Sequence, residues 1–224
     1  VYVFRSLAIW GGIERVIVDK ANHLADIDGY DVSIITGNQG THPVPYAVKP
    51  SVRVEDLNIC IHRQYQHRGI VRLWKGWSLR RLFVRVLRHR LTEMQPDVVV
   101  CVATDYADLV IKAIGTTVPV VVESHSNYDR TFGQHRFLRT YYNWQLRRSL
   151  ARARAIVALT GADADVWRCH YVNFGHIPNM VNMNPTERRA VPEHRRVIFV
   201  GRLDYQKRAW LAIDIWQQIA AEIA

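Results

Sequence analysis

Short runs of valine and isoleucine alternate along the chain with longer stretches in which apolar residues recur every three or four positions. Strands are read at Tyr2 to Phe4, Asp31 to Thr36, Val52 to Leu57, Asp97 to Val102, Pro119 to Glu123 and Ala155 to Leu159. Several of these runs are apolar at every position, as in strands covered by helices on both faces. Strands alternating with helices predict an α/β fold, a parallel Rossmann-like sheet with helices on both faces.

The clearest helix is Ser78 to Met94, where Leu79, Leu82, Phe83, Val86, Leu87, Leu91 and Met94 recur at helical spacing. Ser78 is expected to cap it, and Pro96 stops it before the next strand. Its opposite face carries Arg80, Arg81, Arg85, Arg88, His89 and Arg90. A second helix is expected over Ile13 to Asp26.

Beyond Ile177-Pro178-Asn179 the periodicity lapses into a polar stretch containing Pro185 and Pro192, which predicts an interdomain linker over 182–196. The first domain is then 1–181. An apolar run, Val197 to Val200, and a helical pattern from about Arg208 predict the first strand and helix of a second domain, cut off at 224. The start at Val1, inside an apolar run and without a leader pattern, reads as trimmed.

Composition narrows the class. With 49% hydrophobic and 22% charged residues, and no apolar run near the ~20 residues that cross a bilayer, the chain reads as a soluble globular protein. Cys60, Cys101 and Cys169 are odd in number and widely spaced, which suggests neither a disulfide framework nor a zinc cluster and fits a reducing cytoplasm.

Net charge is +10, and its placement is uneven. No acid occurs from Leu57 to Thr92 or from Arg130 to Ala162, while arginines there are interleaved with Tyr65, Trp74, Trp77, Tyr141, Tyr142 and Trp144. Such surfaces suit an anionic bilayer interface, although solvated helix faces have the same composition. A nucleic-acid-binding module is a further alternative, but no helix-turn-helix, zinc-finger or RNA-recognition signature supports it. No nucleic-acid partner is expected.

Two loops carry candidate chemistry. In Ser6-Leu7-Ala8-Ile9-Trp10-Gly11-Gly12-Ile13-Glu14, paired glycines precede a helix start, whose N–H groups favour phosphate. A tight turn without a ligand has the same sequence, and the dinucleotide fingerprint G-x-G-x-x-G is absent. In Gly201-Arg202-Leu203-Asp204-Tyr205-Gln206-Lys207, Arg202 and Lys207 follow a predicted strand and are placed to neutralise a diphosphate, or are solvated surface cations.

Gly11-Gly12-Ile13-Glu14-Arg15-Val16, Gly29-Tyr30-Asp31-Val32, Ile177-Pro178-Asn179 and Gly201-Arg202-Leu203 with Lys207 occur in an order and spacing that resemble glycosyltransferase family 4. That resemblance implies a GT-B architecture of two Rossmann-like domains, with retaining transfer from a nucleotide-sugar donor to a glycan or lipid-linked acceptor and no cofactor or catalytic metal. It places Gly11 and Gly12 near the donor, Arg202 and Lys207 on its diphosphate, and His125 as the active-site histidine, with Ser124, Ser126 and Asn127 on the acceptor side. Glu123 is a competing active-site carboxylate or the partner of an arginine. Surface-polysaccharide assembly at the cytoplasmic membrane face follows from the same resemblance, with an epimerase-type GT-B enzyme as the alternative. Arg208 stands where the family often has glycine after its lysine, and the family's carboxy-terminal pair of glutamates has no counterpart before residue 224.

Overall fold

The structure is a computed structural model that describes residues 1–115, 117–132, 137–180, 197–201, 203 and 207–223. The chain divides into two compact units, Val1–Val181 and Asn182–Ala224.

The first unit is built on seven strands, β1 (Tyr2–Phe4), β2 (Ser33–Thr36), β3 (Arg53–Asp56), β4 (Val99–Val102), β5 (Val120–Ser124), β6 (Ala155–Ala158) and β7 (Phe174–His176). All neighbours are parallel, in the order β3-β2-β1-β4-β5-β6-β7. Side-chain alternation separates two cores. Val3, Ile35, Val99 and Cys101 face one side with Phe83, Leu87 and Leu91, while Tyr2, Phe4, Ile34 and Val102 face the other with Ile17, Val18 and Ala21. Helix α1 (Gly12–Leu24) supplies the second set, and α2 (Gly69–Met94) the first. Helices α3 (Ala107–Ile114), α4 (Tyr128–Phe132), α5 (Phe137–Leu150) and α6 (Gly161–Arg168) complete the first layer around Trp167. Burial pushes the Cys101 thiol well above its usual range, so it behaves as a small apolar residue.

Six strands coincide with the sequence expectation to within two residues at either end. The seventh was not expected, because Phe174-Gly175-His176 has neither a β-branched run nor alternation and is held by pairing to β6. Helix α2 begins at Gly69, nine residues before Ser78, so Ser78 lies inside the helix and caps nothing. Its added turns carry Ile70, Val71, Leu73, Trp74 and Trp77 largely exposed, so no amphipathic period marked them. Leu82, expected in the core, is 43% exposed, whereas Phe83, Leu87 and Leu91 are buried.

In the second unit, residues 197–200 form no strand, contrary to expectation. An extended segment needs a neighbouring strand, and none is present among the described residues of that unit. Helix α7 (Ala209–Ile223) does form, with Trp210, Ile213, Ile215 and Trp216 exposed. Arg208 just before it has φ +46°, a left-handed value that favours glycine, which gives the departure from the family pattern a backbone cost. The expected linker over 182–196 lies outside the described residues.

Candidate active site

In an open parallel sheet, ligands bind beyond the carboxyl ends of the strands where chain order reverses. Here that point lies between β1 and β4, since the chain runs outward through β2 and β3 before returning to β4. A groove of about 1630 Å³ opens there, lined by the segments that leave β1, β2, β3 and β4.

Its floor is hydrogen-bonded across strands. Asp56, at the end of β3, accepts from the Thr36 hydroxyl (2.8 Å) and the backbone N–H groups of Gln39 and Gly40 (both 2.9 Å). Gln39 Oε1 in turn accepts from the Leu7 N–H (2.7 Å) and the Ser6 hydroxyl (3.1 Å), which ties the loop after β1 to the loop after β2. Arg5, Arg63, Arg72 and Arg80 reach the groove together with Asn38, Asn58 and His62, while Tyr65, Tyr106 and Tyr142 add aromatic surface. Amide, guanidinium, carboxylate and ring surfaces in one groove match the alternating hydroxyl and C–H faces of a sugar.

Asp105 enters the groove from the turn after β4. The preceding Ala103 has φ +84°, a backbone value that side chains disfavour, and such strain collects at functional sites. Asp105 is exposed to the groove, yet loss of water to the surrounding walls raises its carboxyl above the usual range, against the opposing pull of Arg5 and Arg80.

Of the residues expected to form the site, those in the first unit, Gly11, Gly12 and Ser124 to Asn127, do not line this groove. Ser124 is 1% exposed, and its hydroxyl donates to the Ser126 carbonyl at 2.6 Å, which fixes the turn. Asn127 caps the start of α4, its side chain accepting from the Arg130 N–H. The His125 ring is only 3% exposed, with Nε2 3.2 Å from Glu123 Oε2. Glu123 also accepts from Lys20 Nζ on α1 at 2.9 Å, so its partner is a lysine rather than an arginine. Burial alone would raise the Glu123 carboxyl; the His125 and Lys20 hydrogen bonds outweigh it and hold the group below its ordinary value. Lys20 thereby ties the glycine-led helix α1 to the histidine turn.

The two glycines differ. A Cβ on Gly11 would lie 2.0 Å from Glu14 Oε2, so Gly11 makes room for a side chain that is itself 2% exposed. A Cβ on Gly12 would meet nothing within 4 Å, and its φ is not positive, so nothing inside the protein demands glycine there. Arg202 lies outside the described residues. Lys207 sits in the turn before α7, in the second unit.

The sequence profile described as Glycosyltransferase Family 4 matches residues 10–185. The chain belongs to glycosyltransferase family 4. Among solved structures, this family 4 chain is similar to the lipopolysaccharide outer core galactosyltransferase WaaB in its apo form, at 14% identity and TM-score 0.55, over 84% of this chain and 49% of that one. It is also similar to a Glycyrrhiza uralensis protein complexed with glycyrrhetinic acid 3-O-monoglucuronide, at 14% identity and TM-score 0.50, over 78% and 47%. The family 4 chain spans about half the length of these structures, and they establish its GT-B-type, Rossmann-like fold. No curated protein matches it.

Proposed function

We propose that this family 4 chain is the acceptor-side domain, with the opening of the donor-side domain, of a retaining glycosyltransferase that moves a sugar from a nucleotide-sugar to a glycan or lipid-linked acceptor. The observation that carries this reading is the polar, aromatic-walled groove at the β1/β4 switch, beside a glycine-led helix start. The groove takes the acceptor. Gly12 presents its backbone N–H to donor phosphate, and Arg202 and Lys207 hold the diphosphate and stabilise the charge that develops as it leaves. His125, oriented by Glu123 and Lys20, stands beside the transferred sugar. No metal is required in this scheme, because the cations that serve the leaving group belong to the protein.

The experiment that tests the groove is Asp105→Asn. Asp105 has a raised folded value, so it favours the native state below the ordinary carboxylate pKa and that contribution is lost as pH rises through the folded value. The asparagine variant is therefore expected to melt higher than the parent at pH 7, with the difference vanishing at acid pH, and in the complete enzyme to raise the acceptor KM. An unchanged KM would remove the groove from acceptor binding.

The same enzyme is placed at the cytoplasmic face of an anionic membrane. None of the helices among the described residues is long and apolar enough to cross a bilayer. Instead Trp74 and Trp77 stand exposed at the overhanging start of α2, and Trp144 on α5, with Arg81 over Trp77 at 4.5 Å and Arg148 over Trp144 at 5.0 Å. Rings and cations so arranged suit the headgroup layer. Binding to vesicles containing phosphatidylserine is expected to fall steeply between 0.05 and about 0.5 M salt as charges are screened, and to drop several-fold in Trp74→Ser/Trp77→Ser. Equal binding to neutral vesicles would contradict this placement.

A further inference from the structure

A second cavity, of about 670 Å³, lies on the outer side of the first unit, between α2, α3 and α5. Arg80, Arg81, Arg85 and Arg88 come to it from one face of α2 and Lys112 from α3, against Asp108 as its one acid. Asp108, with its side chain 4% exposed, is 3.3 Å from Lys112 Nζ and 4.0 Å from Arg80 Nη1, so it holds both cations in place. Its Oδ1 accepts no hydrogen bond among the described residues, and it leaves most of the positive charge unmatched. Arg88 donates to the Ala113 and Lys112 carbonyls, which fixes its direction without cancelling its charge. Arg81 and Arg85 have no carboxylate partner among the described residues. Five clustered cations repel one another unless an anion joins them, and guanidinium groups suit the oxygens of a phosphate.

The cavity adjoins the acceptor groove. Arg80 and Tyr142 line both, Arg80 lies over the Tyr142 ring at 6.0 Å, and the Tyr142 hydroxyl donates to the Asp105 carbonyl at 3.3 Å. They form a shared wall. A molecule in the groove that extends beyond Arg80 and Tyr142 meets Arg81 and Arg85.

We infer that this cavity is a phosphate subsite and that the acceptor is a phosphate-bearing glycan, its sugar in the groove and its phosphate against the α2 arginines. This rests on the assignment of the groove to the acceptor. The charge of the acceptor is then read by the first domain, separately from the diphosphate of the donor.

The test is a titration of the 224-residue chain with inorganic pyrophosphate, read by NMR at the indole N–H of Trp77 in the cavity and at the Tyr106 ring in the groove. Pyrophosphate is expected to shift Trp77, and Arg81→Gln/Arg85→Gln to weaken the apparent affinity at least about tenfold while retaining the parent's spectrum elsewhere. Arg63→Gln/Arg72→Gln, in the groove, is expected to titrate like the parent. A silent Trp77, or an Arg81→Gln/Arg85→Gln variant that titrates like the parent, overturns the subsite. Equal weakening by the groove pair overturns it too, by placing the anion in the groove. The titration uses neither donor nor transfer, so its failure leaves the groove assignment standing. An unchanged acceptor KM in Asp105→Asn instead removes the acceptor assignment while pyrophosphate still binds the cavity.

Discussion

Gly12→Ala is expected to fold as well as the parent and, in the complete enzyme, to transfer sugar at least about tenfold more slowly. A methyl group at this position meets open space and needs no unusual backbone angle. At the start of a helix alanine is also the better helix former, so the melting temperature should hold or rise slightly. The rate should not survive. A hydrogen bond to a charged group is worth about 1.5–3 kcal/mol, which corresponds to roughly ten- to more than hundredfold in rate if it forms in the transition state. The methyl group keeps a phosphate from closing on the Gly12 N–H. Thermal melting and transfer kinetics on the same preparation separate the two effects. Parent-like kcat/KM in Gly12→Ala would mean that the donor does not approach this backbone.

Glu123→Ala has the opposite signature, a large loss of stability. The carboxylate is the shared acceptor of Lys20 Nζ and His125 Nε2, and the side chains of all three are at most 12% exposed. Removing it leaves a buried ammonium without a partner, a class of change that costs about 3 kcal/mol or more, or roughly 10 °C in melting temperature for a domain of this size. Its pH dependence follows from the lowered Glu123 value. The parent holds this stability above the ordinary carboxylate pKa and loses it as pH falls through the depressed one; the variant has none to lose. Lys20→Met/Glu123→Leu, which removes both charges, should recover much of the loss. If Glu123→Ala melts within a degree or two of the parent at pH 7, the buried cluster does not hold α1 to β5.

The central sheet was legible because its strands are buried on both faces, so Val99 to Val102 and Val120 to Val122 stand out as continuous apolar runs. The paired glycines, and the histidine after β5, were legible because each follows a strand whose end is marked by a change to polar residues. What escaped notice has physical reasons. Phe174–His176 is a strand by virtue of its neighbour rather than its own propensity. The first turns of α2 cover no core, so their apolar residues follow no face. The groove residues Arg5, Asn38, His62, Arg63 and Asp105 come from four separate loops, and only the parallel order of the sheet brings them together. Arg5 directly follows β1 and Arg63 lies in the segment after β3, so the positive charge is divided between the groove and the outer surface. Arg80 belongs to both, lining the groove as well as the outer cavity.

The stereochemistry of transfer separates a retaining transferase from the other enzymes this fold supports. The complete enzyme, with its second domain, is incubated with nucleotide-sugars and membrane-extracted glycan acceptors in the presence of a chelator, and the new linkage is read from the anomeric proton coupling in the NMR spectrum. The expected product carries the anomeric configuration of the donor and forms at the same rate with and without chelator, while Gly12→Ala slows it at least about tenfold. An inverted linkage, or turnover of the nucleotide-sugar that requires no acceptor, would contradict a retaining transferase and favour a sugar-nucleotide enzyme of another kind on the same fold.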